Sequence, residues 1–161
     1  QVLLVTDNEI LVNDIQTELE KQLGALPRKE LAAQALKNSR IILVENEAVA
    51  LDLLNEYAAE HLILACANPE RMAEKVLNAG SVFLGHYSPE SVGDYASGTN
   101  HTLPTNGYAR SYSGVSVDSF VKKVTFQQLT REGLQAIGGS VERMAKAEGL
   151  DAHANAVSIR L

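Results

Sequence analysis

Three groupings of residues in this chain of 161 are equipped for chemistry. The first is the segment Gly93-Asp-Tyr-Ala-Ser-Gly-Thr-Asn-His101, which sets the carboxylate of Asp94 and the imidazole of His101 among small, turn-forming residues. A hard oxygen and an imidazole nitrogen suit zinc or a similar divalent ion, and Ser97 and Gly98 let the backbone turn sharply and approach a ligand. An ordinary polar surface loop accounts for the same residues. The second grouping is the adjacent pair Glu60 and His61. Its two proton acceptors differ in intrinsic pKa, which is useful where one group removes a substrate proton and the other activates water. The alternative is the exposed end of a helix. The third is Glu148 with His153, a spacing that does not itself define a metal site. His86 stands beside Tyr87 with no evident partner and reads as structural.

Composition narrows the range of functions. Twenty acidic against fourteen basic side chains leave a formal charge of -6, and with no Lys/Arg run there is no electrostatic basis for nucleic-acid binding. Apolar runs are strand-sized and far from the roughly 20 residues of a membrane span, so a soluble chain is expected. The single Cys66 lies in an apolar segment, has no partner for an internal disulfide, and fits a reducing compartment, hence the cytoplasm. Neither a G-x-G-x-x-G turn nor a Walker lysine motif occurs, so nucleotide binding leaves no sign of its own. The chain opens directly on a strand-like run without an initiator Met, which reads as a cut chain.

The elements that must position these residues follow from periodicity. Short apolar runs alternate with helical patterns, the mark of β-α units on a mostly parallel sheet. Strands are predicted at 2–5, 41–44, 61–66 and 81–84. Asp7 or Asn8 caps a first helix running to Gly24, Asn46 caps a second, and Asn68-Pro69 opens a third that stops at Ala79-Gly80. Segment 85–114 has five glycines and almost no periodicity; a loop of about thirty residues in a small protein is more often functional than idle. Beyond it, 115–126 suggests a short helix and strand. Thr130 begins a long helix whose Gly138-Gly139 pair implies a bend or a close helix contact. The tail 151–161 has too little apolar surface to fold alone and is expected to pack on the molecule or on a second subunit.

The segment 93–101 followed by Thr-Leu-Pro-Thr, with the upstream Ala-Gly-Ser-Val-Phe-Leu-Gly and Ser-Pro-Glu-Ser, closely resembles the signature region of the histidinol dehydrogenase family. The likeness runs from the first strand through Ala58-Ala-Glu-His61 to Ala152-His-Ala-Asn-Ala-Val157, essentially the whole chain, and it is to the carboxy-terminal portion of longer family members. Ala59 departs from the proline common there. Pattern and resemblance together imply an α/β fold: a mostly parallel sheet with flanking helices, an incomplete Rossmann-like domain at 1–114 with its long active-site loop at 85–114, and a mainly helical, dimer-crossing tail at 115–161.

The resemblance implies a reaction, the oxidation of L-histidinol to L-histidine through histidinaldehyde, with two NAD molecules reduced in succession and one zinc ion in the site. It gives Asp94 and His153 as zinc ligands. The family's other two, a Gln and a His, fall upstream of this chain together with the nicotinamide-binding residues. Glu60 resembles the activator of water and His61 the base that takes the alcohol proton. His61, Asp94, His101, Glu148 and His153 resemble substrate-binding residues, the last two reaching the site from the neighbouring subunit of an intertwined homodimer. The partners so implied are L-histidinol, a second copy and the missing amino-terminal portion of the enzyme, and this chain alone is expected to be inactive. A noncatalytic metal-binding or assembly module that keeps the family's carboxy-terminal fold is the alternative.

Overall fold

The computed structural model describes residues 1–161, which divide into two compact units, Gln1–Phe120 and Val121–Leu161. The first is built of parallel β-α units. Strand β1 (Leu3–Thr6) leads into helix α1 (Glu9–Ala25), where the Asn8 side chain accepts the backbone N–H groups of Ile10 and Leu11 and so satisfies two of the donors a helix start leaves open. A further helix not anticipated from the sequence, α2 (Lys29–Lys37), precedes β2 (Arg40–Leu43). Asn46 caps α3 (Glu47–Tyr57) in the same way. Then come β3 (His61–Leu64), α4 (Pro69–Ala73), β4 (Ser81–Leu84) and α5 (Glu90–Tyr95). In the second unit α6 (Arg131–Ala147) and α7 (Asp151–Ser158) form a helical hairpin.

The strands are parallel as expected, but they form two pairs, β1 with β2 and β3 with β4, rather than one four-stranded sheet. The third strand ends at Leu64 instead of Cys66. Helix α4 stops at Ala73 and not near Ala79, because the Asn55 side chain captures the chain beyond it: Oδ1 accepts the Leu77 N–H at 2.7 Å and Nδ2 donates to the Lys75 carbonyl at 3.2 Å. Such side-chain bonds compete directly with helix propagation. The strand expected within 115–126 does not form. One 3₁₀ turn, Val117–Phe120, stands there, since β-favouring residues without a neighbouring strand leave their backbone groups unpaired.

The core lies in the second strand pair. Leu62 and Leu64 of β3 are buried against Ala50 and Leu51 of α3 and Met72 of α4; each buried leucine contributes about 1.5–3 kcal/mol. Because β residues alternate faces, His61 and Ile63 lie on the opposite face, in register with Ser81 and Phe83 of β4. In the second unit the Gly138-Gly139 pair marks a close contact. A side chain at Gly138 would meet Leu161 Cδ1 at 2.9 Å and Val157 Cγ1 at 3.0 Å, and α6 runs through it unbroken.

Candidate active site

The site begins with a tight reversal of the chain. Helix α3 ends on Ala58, which is buried and left-handed (φ 54°), and Ala59 and Glu60 then lead directly into β3. That entry is clamped by backbone bonds: the Gly80 N–H donates to the Ala59 carbonyl and the Ser81 N–H to the Glu60 carbonyl, both at 2.9 Å. Gly80 is required there, because a Cβ on it would lie 2.6 Å from the Glu60 oxygen. The clamp depends on the Ala59 carbonyl, which a proline would supply equally. His61 is thus fixed as the first residue of β3, at the amino-terminal edge of the strand pair and not at the carboxyl ends, where ligands of open α/β sheets usually bind.

After β4, the chain turns at Gly85 (φ 83°) and comes back across the His61 face as α5. The Ser88 hydroxyl donates to the Leu84 carbonyl at 2.6 Å and holds the return. Gly93 and Asp94 therefore stand on a short helix, not in an open loop, and the turn proper begins after it, with Gly98 at φ 86°. The Asp94 carboxylate comes to 3.9 Å from His61 Nε2, each side chain being 25% exposed. That separation is too long for a hydrogen bond. His61 Nε2 is shielded from solvent and has no hydrogen-bond partner. Leaving such a group unpaired costs about 1–3 kcal/mol. The Phe83 ring flanks the imidazole, centroids 6.0 Å apart and tilted by 30°.

Glu90 completes the cluster. Its carboxylate, that of Asp94 and the imidazole of His61 bring ligand atoms within 4.8 Å of one another. Sequence reasoning missed Glu90; the signal was its position one helical turn before Asp94, immediately after Pro89, a spacing that puts two carboxylates on one face once the segment is helical. Two oxygens and an imidazole nitrogen at this range form a donor set that fits zinc or another divalent cation.

The remaining loop is anchored rather than loose. Asn100 Nδ2 donates to the Val115 carbonyl, the Val115 N–H donates to the Thr102 carbonyl at 3.0 Å, and Arg110 donates to the Glu56 carbonyl and, at 2.8 Å, to its carboxylate. Glu60 is partly buried beside His61 along the chain, but its carboxylate is outside the three-residue cluster, as is the exposed His101. Glu148 and His153 stand in the second unit, both exposed, on either side of the turn at Gly149 (φ 73°) that joins α6 to α7.

A parallel α/β unit that sets an unpartnered imidazole against two carboxylates is an arrangement suited to proton transfer or to holding a cation. Comparison with known proteins gives the family. Residues 1–161 match the model of the histidinol dehydrogenase family, and the chain belongs to it. It is 56% identical over its full length to the histidinol dehydrogenase of Bacteroides thetaiotaomicron and 53% identical to that of Xylella fastidiosa, of which it covers 38% and 37%. The crystal structure of histidinol dehydrogenase from Elizabethkingia anophelis superposes with a TM-score of 0.91 at 56% identity, covering 99% of this chain and 37% of that one. The chain thus spans well under half the length of these relatives.

Proposed function

We propose that this chain supplies the acid–base part of a site that oxidises L-histidinol to L-histidine through histidinaldehyde with NAD. The observation that carries the reading is the free Nε2 of His61 facing Asp94 and Glu90, in a chain that matches the family from end to end. His61 takes the hydroxyl proton of the alcohol as hydride leaves the carbinol carbon, a role that a neutral imidazole fills well near pH 7. Glu60 then removes a proton from water as its oxygen bonds to the aldehyde carbon, while the carbonyl oxygen takes the proton held by His61, giving the hydrate; His61, neutral again, then accepts the proton that the hydrate loses with its second hydride. Each oxidation releases one proton to the base and one hydride, which carries the two electrons. NAD, when bound, accepts the hydride.

Of that donor set Asp94, together with His153, would hold the zinc ion, which when bound supplies a fixed positive anchor for substrate nitrogen, and His61 keeps its lone pair for the substrate proton. His101 contacts the substrate, and Glu148 receives its ammonium group. Glu148 and His153 act in the site of the neighbouring subunit of a homodimer, which accords with their exposure on a helical hairpin. No helix is long and apolar enough to cross a membrane, and the enzyme works in the cytoplasm.

The test is reconstitution. Mixed with the separately expressed amino-terminal portion of the Bacteroides thetaiotaomicron relative, the chain should produce NADH from L-histidinol, while each part alone gives none. Association without activity would favour a noncatalytic module, and no association at all would remove the shared site.

A further inference from the structure

The cluster at His61 depends on how closely α5 can approach β4, and one residue sets that distance. Gly93 is buried in the turn of α5 between Glu90 and Asp94. A Cβ there would lie 2.5 Å from Phe83 Cε1, 3.0 Å from Phe83 Cζ and 2.9 Å from Thr99 Oγ1. Real Cβ atoms do not approach other atoms so closely, and packed interiors resist even one added methyl. Gly93 has no positive φ to explain it; its lack of a side chain is used for approach alone. The ring it touches is the same ring that flanks His61, and the Thr99 hydroxyl donates to the Gly93 carbonyl at 3.1 Å, closing the far side.

We propose that Gly93 is a positioning residue of the active site: the contact of its bare Cα with the Phe83 ring sets the spacing between the His61 imidazole and the two carboxylates of α5. A methyl at this position displaces either α5, and with it Glu90 and Asp94, or the ring, and with it the wall beside His61. A leucine at position 83 ends at Cδ and lacks both ring atoms that the methyl would strike, and Thr99 Oγ1 clears the methyl by turning about χ1 at the cost of its bond to the Gly93 carbonyl. Phe83→Leu is therefore the compensating change for Gly93→Ala.

The inference rests on the proposed function for its kinetic test and has a second test that does not. In the reconstituted enzyme, G93A should lower kcat by about a hundredfold, the usual cost of misplacing a reacting group by about 1 Å. G93A/F83L should then recover to near the rate of F83L alone. A G93A enzyme with unchanged kcat, or a double variant no better than G93A, would overturn the proposal. If G93A does not fold, the double variant is still required to fold and turn over. In the 161-residue chain itself, the NMR signals of the His61 ring should move in G93A while those of His153 stay in place; an unmoved His61 ring would sink the inference whatever the reconstitution gives. Inactivity of the unsubstituted mixture together with a displaced His61 signal would instead strike at the proposed function and leave the positioning role standing.

Discussion

The two strand pairs of the first unit share one pattern and differ in packing. Both are four-residue parallel pairs with helical crossovers. Yet no residue from Gln1 through Val49 is buried, and α1 presents Ile10 at 73% exposure, whereas β3 carries Leu62 and Leu64 into a core with α3 and α4, and Phe83 of β4 is buried on the opposite face, against His61 and α5. The His61, Glu90 and Asp94 cluster lies on the pair that is packed. Holding reacting groups to within fractions of an ångström requires side chains whose own neighbours cannot move, and the β3–β4 pair provides this on one face by its core and on the other by α5.

Substitutions in the two regions should separate accordingly. The largest effect belongs to His61→Asn in the reconstituted enzyme, where kcat should fall by about 10²–10⁴, the usual contribution of a positioned general base, with far less change in KM. An unaltered turnover rate would remove His61 from the mechanism and the packed pair from the chemistry. Leu64→Ala should destabilise the first unit by about 2–5 kcal/mol in chemical denaturation, the range for emptying a buried leucine site. Asn46→Ala, which strips the cap from α3, should cost about 1 kcal/mol, read as faster amide exchange in the first turn of that helix. Ile10→Ala on α1 should change stability by no more than about 0.5 kcal/mol, as exposed positions do. A large loss there, equal to that at Leu64, would erase the distinction between the two pairs.

Much of this was legible in the sequence, for identifiable reasons. Asn8, Asn46 and Thr130 announce their helices because capping is local chemistry, and each side chain makes the expected bonds. Within the Gly138-Gly139 pair it is Gly138 that makes the close helix contact, because only a bare Cα admits Val157 and Leu161. What escaped depends on long-range events. Whether four strands make one sheet or two pairs is decided by packing that periodicity does not encode. Helix α4 was shortened by Asn55, about twenty residues away. Segment 85–114 looked structureless because α5 has only six residues and a glycine in its middle. For the same reason Glu90 stayed out of sight: its relation to Asp94 exists only once that turn is helical.

The roles assigned to Glu60 and His61 divide the reaction into an oxidation that needs only His61 and a hydration that needs Glu60, and a count of reducing equivalents tests that division most directly. In the reconstituted enzyme carrying Glu60→Gln, a single turnover of L-histidinol should yield about one NADH per site, with histidinaldehyde left behind, against two from the unsubstituted enzyme. Two NADH per site at an undiminished rate from the Glu60→Gln enzyme would contradict the account.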